Sequence, residues 1–275
     1  VNFYKKYFSF EVKKTDQLLN EHNLYKYIIM GTGDESTKLD TIHNSIKNKL
    51  VPIYHLLSNI NSHYQNIVLT PLNSTDKSNH YVLPIYSTEK MYDTDLCGTK
   101  DKNIFALIGR FKDNNRDTSE LIELVQNNRN NKYEINIYVR HKKFVPNSLI
   151  ELSKKYPNNF KILIGIKTIE LERRLAKTKY LISLISQDGC YHKDRLSGII
   201  PLSYNFNIPL LIDEKTNNIY GFNSTVVYRN NLNEIFTRLL DVGYNEYCIM
   251  VGELLAEKNK IIENNNSELS SVFKS

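Results

Sequence analysis

The 275-residue chain has no tryptophan, only three cysteines and no long apolar run. Each absence excludes something. No segment approaches the roughly 20 apolar residues of a membrane-spanning helix, so no membrane span is expected. Cys97, Cys190 and Cys248 are an odd number at wide intervals. That spacing argues against a disulfide framework and favours a reducing compartment. It also supplies no zinc-ligand pattern. The opening VNFYKKYFSFEVKK lacks an uninterrupted apolar core, so no signal peptide is expected, and without Met at position 1 it fits a piece of a longer chain. The expected location is the cytoplasm, or a host cytoplasm or virion if the source is viral. Alanine is scarce while Asn, Lys, Ile and Tyr abound, as in the AT-rich genomes of some protists and giant DNA viruses. Matches to Asn-x-Ser/Thr at Asn73, Asn223 and Asn265 are expected by chance in such a chain.

What is present suits a globular protein. Hydrophobic residues make up 41% and charged residues 24%, which excludes a disordered or collagen-like chain. The length fits about two domains. Lys plus Arg number 36 against 30 for Asp plus Glu, a net +6. That mild surplus suits an anionic small ligand and lacks the dense basic stripe of a nucleic-acid binder, so no nucleic-acid partner is expected.

From residue 103 the pattern alternates. Asn103–Arg110, Tyr133–Arg140, Phe160–Ile166, Tyr180–Ile185, Pro209–Asp213 and Ser224–Tyr228 read as strands. Ser119–Asn128, Ser148–Tyr156, Thr168–Thr178 (opening on a Thr cap), Leu196–Phe206 and Leu232–Leu240 read as helices. Near-continuous apolar strands separated by short helices predict βαβ units and a parallel sheet covered on both faces. The expected fold is α/β: a Rossmann-like doubly wound parallel sheet over 103–245, with a smaller α/β part over 1–102. A C-terminal helix and tail follow over 246–275, helical to about residue 263 and disordered in roughly the last ten residues. In the first part Tyr25–Met30, Gln65–Thr70 and Tyr81–Tyr86 read as strands, Thr41–Ile60 as a helix broken at Pro52, and 87–102 as a linker.

Ligands of open α/β sheets sit beyond the carboxyl ends of the strands, so the site candidates are the loops there. Gly109-Arg110 closes the first strand of the regular domain. Gly permits close approach, and Arg binds two phosphate oxygens at once. Arg116 follows in the next loop. Pairing of Arg110 with Asp113 or Asp117 stands as the structural alternative. Ser186–Leu202, SQDGCYHKDRLSGIIPL, gathers Asp188, His192, Lys193, Asp194, Arg195 and Ser197. A helix opening at Ser197-Gly198 would offer unpaired amides and a positive dipole end to a diphosphate, with Lys193 and Arg195 adding charge. The alternative is a solvated loop capped by Ser197. His192 has a titration range suited to a general base, although a loop histidine more often only hydrogen-bonds. The basic run Arg140-His141-Lys142-Lys143 reads as a solvated strand end. The Gly31-Thr-Gly33 turn lacks the third glycine of a dinucleotide fingerprint. No Walker loop or Gly-x-Ser-x-Gly elbow is found.

Residues 103–240 resemble the nucleotide-sugar-binding half of glycosyltransferases with two facing Rossmann-like domains, the GT-B fold. IFALIGRFKDNNRDTSELIELV is similar to that family's first strand, Gly-Arg loop and helix. FKILIGIKTIELERRLAKTKYLISLIS resembles its run of strand, loop, helix and strand toward the donor site. DGCYHKDRLSGIIPLSYNFNIPLLID occupies the place of its signature loop and helix. The resemblance implies transfer of a sugar from a nucleotide-diphosphate-sugar to a protein or glycan acceptor. It implies no cofactor, and no metal if amides, Lys and Arg suffice. By position it sets Gly109, Arg110 and Arg116 toward the donor phosphates and Lys167 near the base. Asp188, Lys193, Ser197 and Gly198 surround the ribose, diphosphate and sugar. Ser197 stands near the place of the second acid carried by many retaining members, and no catalytic residue is named. The competing reading is a non-catalytic Rossmann-like module for protein interaction or nucleotide binding. A third is an enzyme using Gly31–Gly33 for another nucleotide or S-adenosylmethionine.

Overall fold

The computed structural model describes residues 28–30, 50–54, 66–69, 79–85, 102–111, 116–186, 190–193, 195–229 and 231–274. The chain divides into two compact units. One comprises Val1–Tyr86, Asp194–Leu196 and Ile262–Ser275; the other comprises Ser87–Lys193 and Ser197–Ile261.

The first unit holds a parallel sheet of four strands in sequential order: β1 (Ile28–Met30), β2 (Leu50–Tyr54), β3 (Asn66–Val68) and β4 (Asn79–Tyr81). Strand β2 corrects the helix expected over 41–60. Val51, Ile53 and Tyr54 form a buried apolar run, and the missing N–H of Pro52 suits a helix interior poorly. The strand tolerates it because the pairing with β3 begins only at Ile53.

The second unit alternates strand and helix: β5 (Ile104–Ile108), α1 (Ser119–Asn127), β6 (Glu134–Val139), α2 (Asn147–Lys155), β7 (Phe160–Ile164), α3 (Thr168–Ala176) and β8 (Tyr180–Ile182). Then come α4 (Ile199–Phe206), β9 (Leu210–Asp213), α5 (Glu214–Tyr220), β10 (Val226–Tyr228), α6 (Leu232–Leu240) and α7 (Tyr244–Lys274). All strands are parallel, in the order β10-β9-β8-β5-β6-β7. The direction of winding therefore reverses between β5 and β8, which opens a crevice at their carboxyl ends.

Burial explains the elements. Leu210, Leu211, Ile212 and Asp213 of β9 are all buried, as a sheet covered on both faces requires. Helix α1 turns Leu121, Leu124 and Val125 inward, and α6 does so with Leu232, Phe236 and Leu239. The Asn231 side chain accepts from the amides of Asn233 and Glu234 and so starts α6. Phe105 stacks on Tyr180 at 5.2 Å and tilts against Phe236 at 4.5 Å. Truncating so central a ring to Ala would cost about 3–5 kcal/mol.

Helix α7 runs through Lys274, which corrects the expected disordered tail. Within the first unit Val272 is fully buried and Leu269 packs beside it, against Val51, Ile53, Ile67 and Leu69. Asn265 Oδ1 accepts from the Leu83 amide at 3.1 Å, and Asn265 Nδ2 donates to the Leu83 carbonyl at 2.6 Å. The side chain thus satisfies both backbone groups of one residue, as a strand would. Cys248, near the other end of α7, is disulfide-bonded, against the reading of the cysteine spacing as arguing against a disulfide framework and for a reducing compartment. Among the described residues no helix is long and apolar enough to cross a membrane.

Candidate functional site

At the end of β5, Gly109 adopts φ +134° and donates its amide to the Tyr138 carbonyl at 3.1 Å. A Cβ there would lie 3.5 Å from Arg116 Nη2 and would be strained by that φ. The two arginines that follow part company. Arg110 is exposed and leans toward β6, its guanidinium 4.5 Å from the centre of the Phe144 ring. Arg116 is buried and turns toward β8. Its Nη1 donates to the Ser183 carbonyl, and its Nη2 to Ser197 Oγ at 3.2 Å and to the Ile108 carbonyl at 3.4 Å. Asp117 donates its amide to the Leu184 carbonyl at 3.2 Å. The loop after β5 is therefore clipped to the chain after β8 at the topological switch point.

Ser197 is wholly buried, its hydroxyl held by Arg116. The residue expected to cap α4 thus serves the loop behind it. Gly198 occupies the cap position in right-handed helical geometry, exposed, with no side chain capping the helix. Nothing lies within 4 Å of where its Cβ would be. Lys193 is exposed in the same connection. Lys167 is exposed at the cap of α3, beyond β7 and two strands from β5. Thr168, expected to cap that helix, is its first residue and makes no capping bond. Asp188 lies outside the described residues, as do Asp113, Asp194 and the Gly31–Gly33 turn. The structure thus brings Gly109, Arg116 and Ser197 together, sets Gly198 at an open helix start, and leaves Arg110 and Lys167 toward the other side of β5.

A second group escaped sequence reasoning. Buried Asp213 ends β9 and accepts the Thr216 amide at 2.9 Å, so it caps α5. The Thr216 hydroxyl donates to Asp213 Oδ2 at 2.5 Å. Its proton being so engaged, the hydroxyl oxygen accepts from His192 Nε2, 2.7 Å away. The available signal was an Asp followed three residues on by Thr at a strand end. Tyr220 donates to the Tyr191 carbonyl at 2.6 Å, so the 190–193 turn is anchored at consecutive residues. In the first turn of α1, burial and then the nearby Asp117 push the Glu120 carboxyl above its usual range, against the Tyr228 hydroxyl that donates to it. No group of three or more His, Cys, Asp or Glu is placed to hold a metal ion among the described residues.

No family model matches this chain, and no curated protein matches it. Solved structures do. HepE from Anabaena, solved with UDP, superposes with TM-score 0.68 at 9% identity over 94% of this chain and 81% of its own. The fold is that of the GT-B glycosyltransferases. WaaG, a glycosyltransferase of lipopolysaccharide biosynthesis, gives 0.52 at 12% identity over 97% of this chain and 74% of its own. TarM gives 0.57 at 13% over 94% of this chain, which spans only 57% of TarM. The six-stranded unit carries the strand–helix alternation read from residues 103–240, and Gly109, Arg116 and Ser197 come together at the switch point between β5 and β8.

Proposed function

We propose that the chain moves a sugar from a nucleotide-diphosphate-sugar to a protein or glycan acceptor, without a metal. One observation carries this reading: an uncapped helix start, Gly198, stands exposed beside the switch point between β5 and β8. The amides of Gly198 and Ile199 there, with exposed Lys193, would receive the diphosphate, since Ile200 already donates to the Ser197 carbonyl and Pro201 has no N–H. A departing nucleoside diphosphate gains negative charge in the transition state, and fixed dipoles favour that charge more than the ground state. Arg116 and Ser197 serve the site by holding its two loops together, while Gly109 leaves the space that Arg116 occupies. Asp188 is assigned to the ribose or sugar and Arg110 to the outer phosphate. Lys167, between exposed Ile164 and Ile169, is assigned to the base. The complex of HepE with UDP and glucose supports a donor of this class. The AT-rich composition supports a protist or giant-virus source.

Calorimetric titration with UDP-, GDP- and dTDP-sugars tests the proposal. Saturable binding of one of them is expected; a folded sample that binds none overturns it. The inward turn of Arg116 and Ser197 favours the rival, a non-catalytic module, which predicts no thermal shift with any nucleotide.

A further inference from the structure

Beyond β6 the chain makes a tight 3-10 turn, Lys142–Phe144, that carries a cluster of positive charge. Arg110, Arg140, His141, Lys142 and Lys143 are all exposed around Phe144. Arg110 and Lys143 sit 4.5 and 5.2 Å from the centre of its ring, and the His141 ring lies 5.8 Å away. No carboxylate pairs with any of these cations among the described residues. The turn is also rigid. Phe144 and Val145 donate their amides to the carbonyls of His141 and Lys142 at 3.0 Å each, and Phe111 donates to the Phe144 carbonyl at 2.9 Å. Buried Val145 pins it from below. Four permanent charges on a fixed platform, with no counter-charge among the described residues, create a local positive potential that a solvated strand end does not need.

We infer that this shelf docks a linear polysaccharide bearing several acidic groups, presented as the acceptor to the neighbouring crevice. The acceptor role rests on the transferase reading; the docking does not. Its chemistry separates it from other polyanions. A single-stranded nucleic acid would need aromatic faces for its bases, whereas the ring of Phe144 is half-buried and engaged by Arg110 and Lys143. A bilayer would need several apolar side chains to insert; the Lys142–Phe144 turn exposes none, and only Ile164, at the end of the neighbouring β7, stands exposed beside Arg140. A flexible chain of spaced acidic groups needs only charge and hydrogen-bond donors, which the shelf supplies.

The test uses dextran sulfate oligomers against uncharged dextran, with UDP-glucose titrated into the same samples. Dextran sulfate alone is expected to bind, with affinity falling steeply as salt rises. The triple variant R140S/K142S/K143S should lose about tenfold in that affinity, from three exposed charges worth a fraction of a kcal/mol each, and keep its response to UDP-glucose. A control triple at the opposite sheet edge, R129S/K132S/K177S, should lose little. Equal loss in both triples, no loss in the first, or tighter binding of single-stranded DNA or phosphatidylserine vesicles than of dextran sulfate would overturn the inference. Failure of UDP-glucose binding with the shelf effect intact would instead remove the donor reading.

Discussion

The two sides of β5 treat positive charge in opposite ways. Toward β8, Arg116 is buried and its guanidinium meets three oxygens, those of Ser183, Ile108 and Ser197. Toward β6, Arg110 and its basic neighbours stand exposed with no carboxylate partner among the described residues. One charge is used for architecture; the others are left for something outside. A buried cation persists only when its donors are satisfied, because leaving them unmet costs several kcal/mol. An exposed one incurs no such cost, so its stability contribution is small and its reach into solvent is large.

Substitution breaks this contrast most directly. Arg116→Met should destabilise the protein by about 3 kcal/mol, since three oxygens lose charged donors in a buried place. Arg110→Ala should cost less than about 1 kcal/mol. Urea denaturation compares them, and equal effects would erase the distinction. Gly109→Ala should come next, at roughly 1–3 kcal/mol, from the strain of φ +134° alone, since the new Cβ would meet Arg116 at ordinary contact distance.

A second buried cation sharpens the comparison. Lys258 on α7 is buried with one acceptor, Asn207 Oδ1 at 3.0 Å. Burial lowers its pKa to about 8. Between pH 8 and about 10 the folded protein has released this proton while the unfolded chain still holds it. The unfolded state then binds more protons, so stability rises with pH across that window, by about 1–2 kcal/mol after solvent screening. Above about pH 10 the gain should reverse. Burial raises Tyr133 and Tyr138 to about 12, so there the folded state is the one that keeps protons. Chemical denaturation from pH 7 to 10 measures the rise, and Lys258→Met should flatten it.

The alternation from residue 103 onward was legible because each strand and helix buries its own apolar stripe. The order of the strands was not read from that pattern; right-handed parallel crossovers only narrow the possible arrangements. Legibility failed where polar residues decide. Helix α5, with the sequence EKTNNIY, has no apolar period; its start comes from the Asp213 cap. Strand β2 was hidden by Pro52, read as a break within a helix. The end of α7 looked like a charged, Asn-rich tail because its anchors, Asn265 and Val272, act on residues about 180 to 220 positions away in sequence. At the site, position on the carboxyl edge was readable from Gly109 and Gly198. The direction of Arg116 was not, because a charged loop residue faces inward only when distant carbonyls await it.

The same contrast between architecture and open surface makes its finest prediction at Gly198. Its φ of −61° is ordinary helical backbone, and no atom lies within 4 Å of an added Cβ. Gly198→Ala should therefore leave stability unchanged or raise it by about 0.4–1 kcal/mol, through the unfolded chain's lost freedom. If the opening amides of α4 receive a diphosphate, the methyl group intrudes on the approach, and donor affinity should fall about tenfold, near 1.4 kcal/mol. Ser197→Ala should do the reverse, costing about 1 kcal/mol of stability through the lost bond to Arg116 with a smaller change in affinity. A Gly198→Ala protein that melts as the wild type does and binds its donor equally well would move the diphosphate away from this helix. The exposed half of the edge, around Arg110, would then be the remaining place for it.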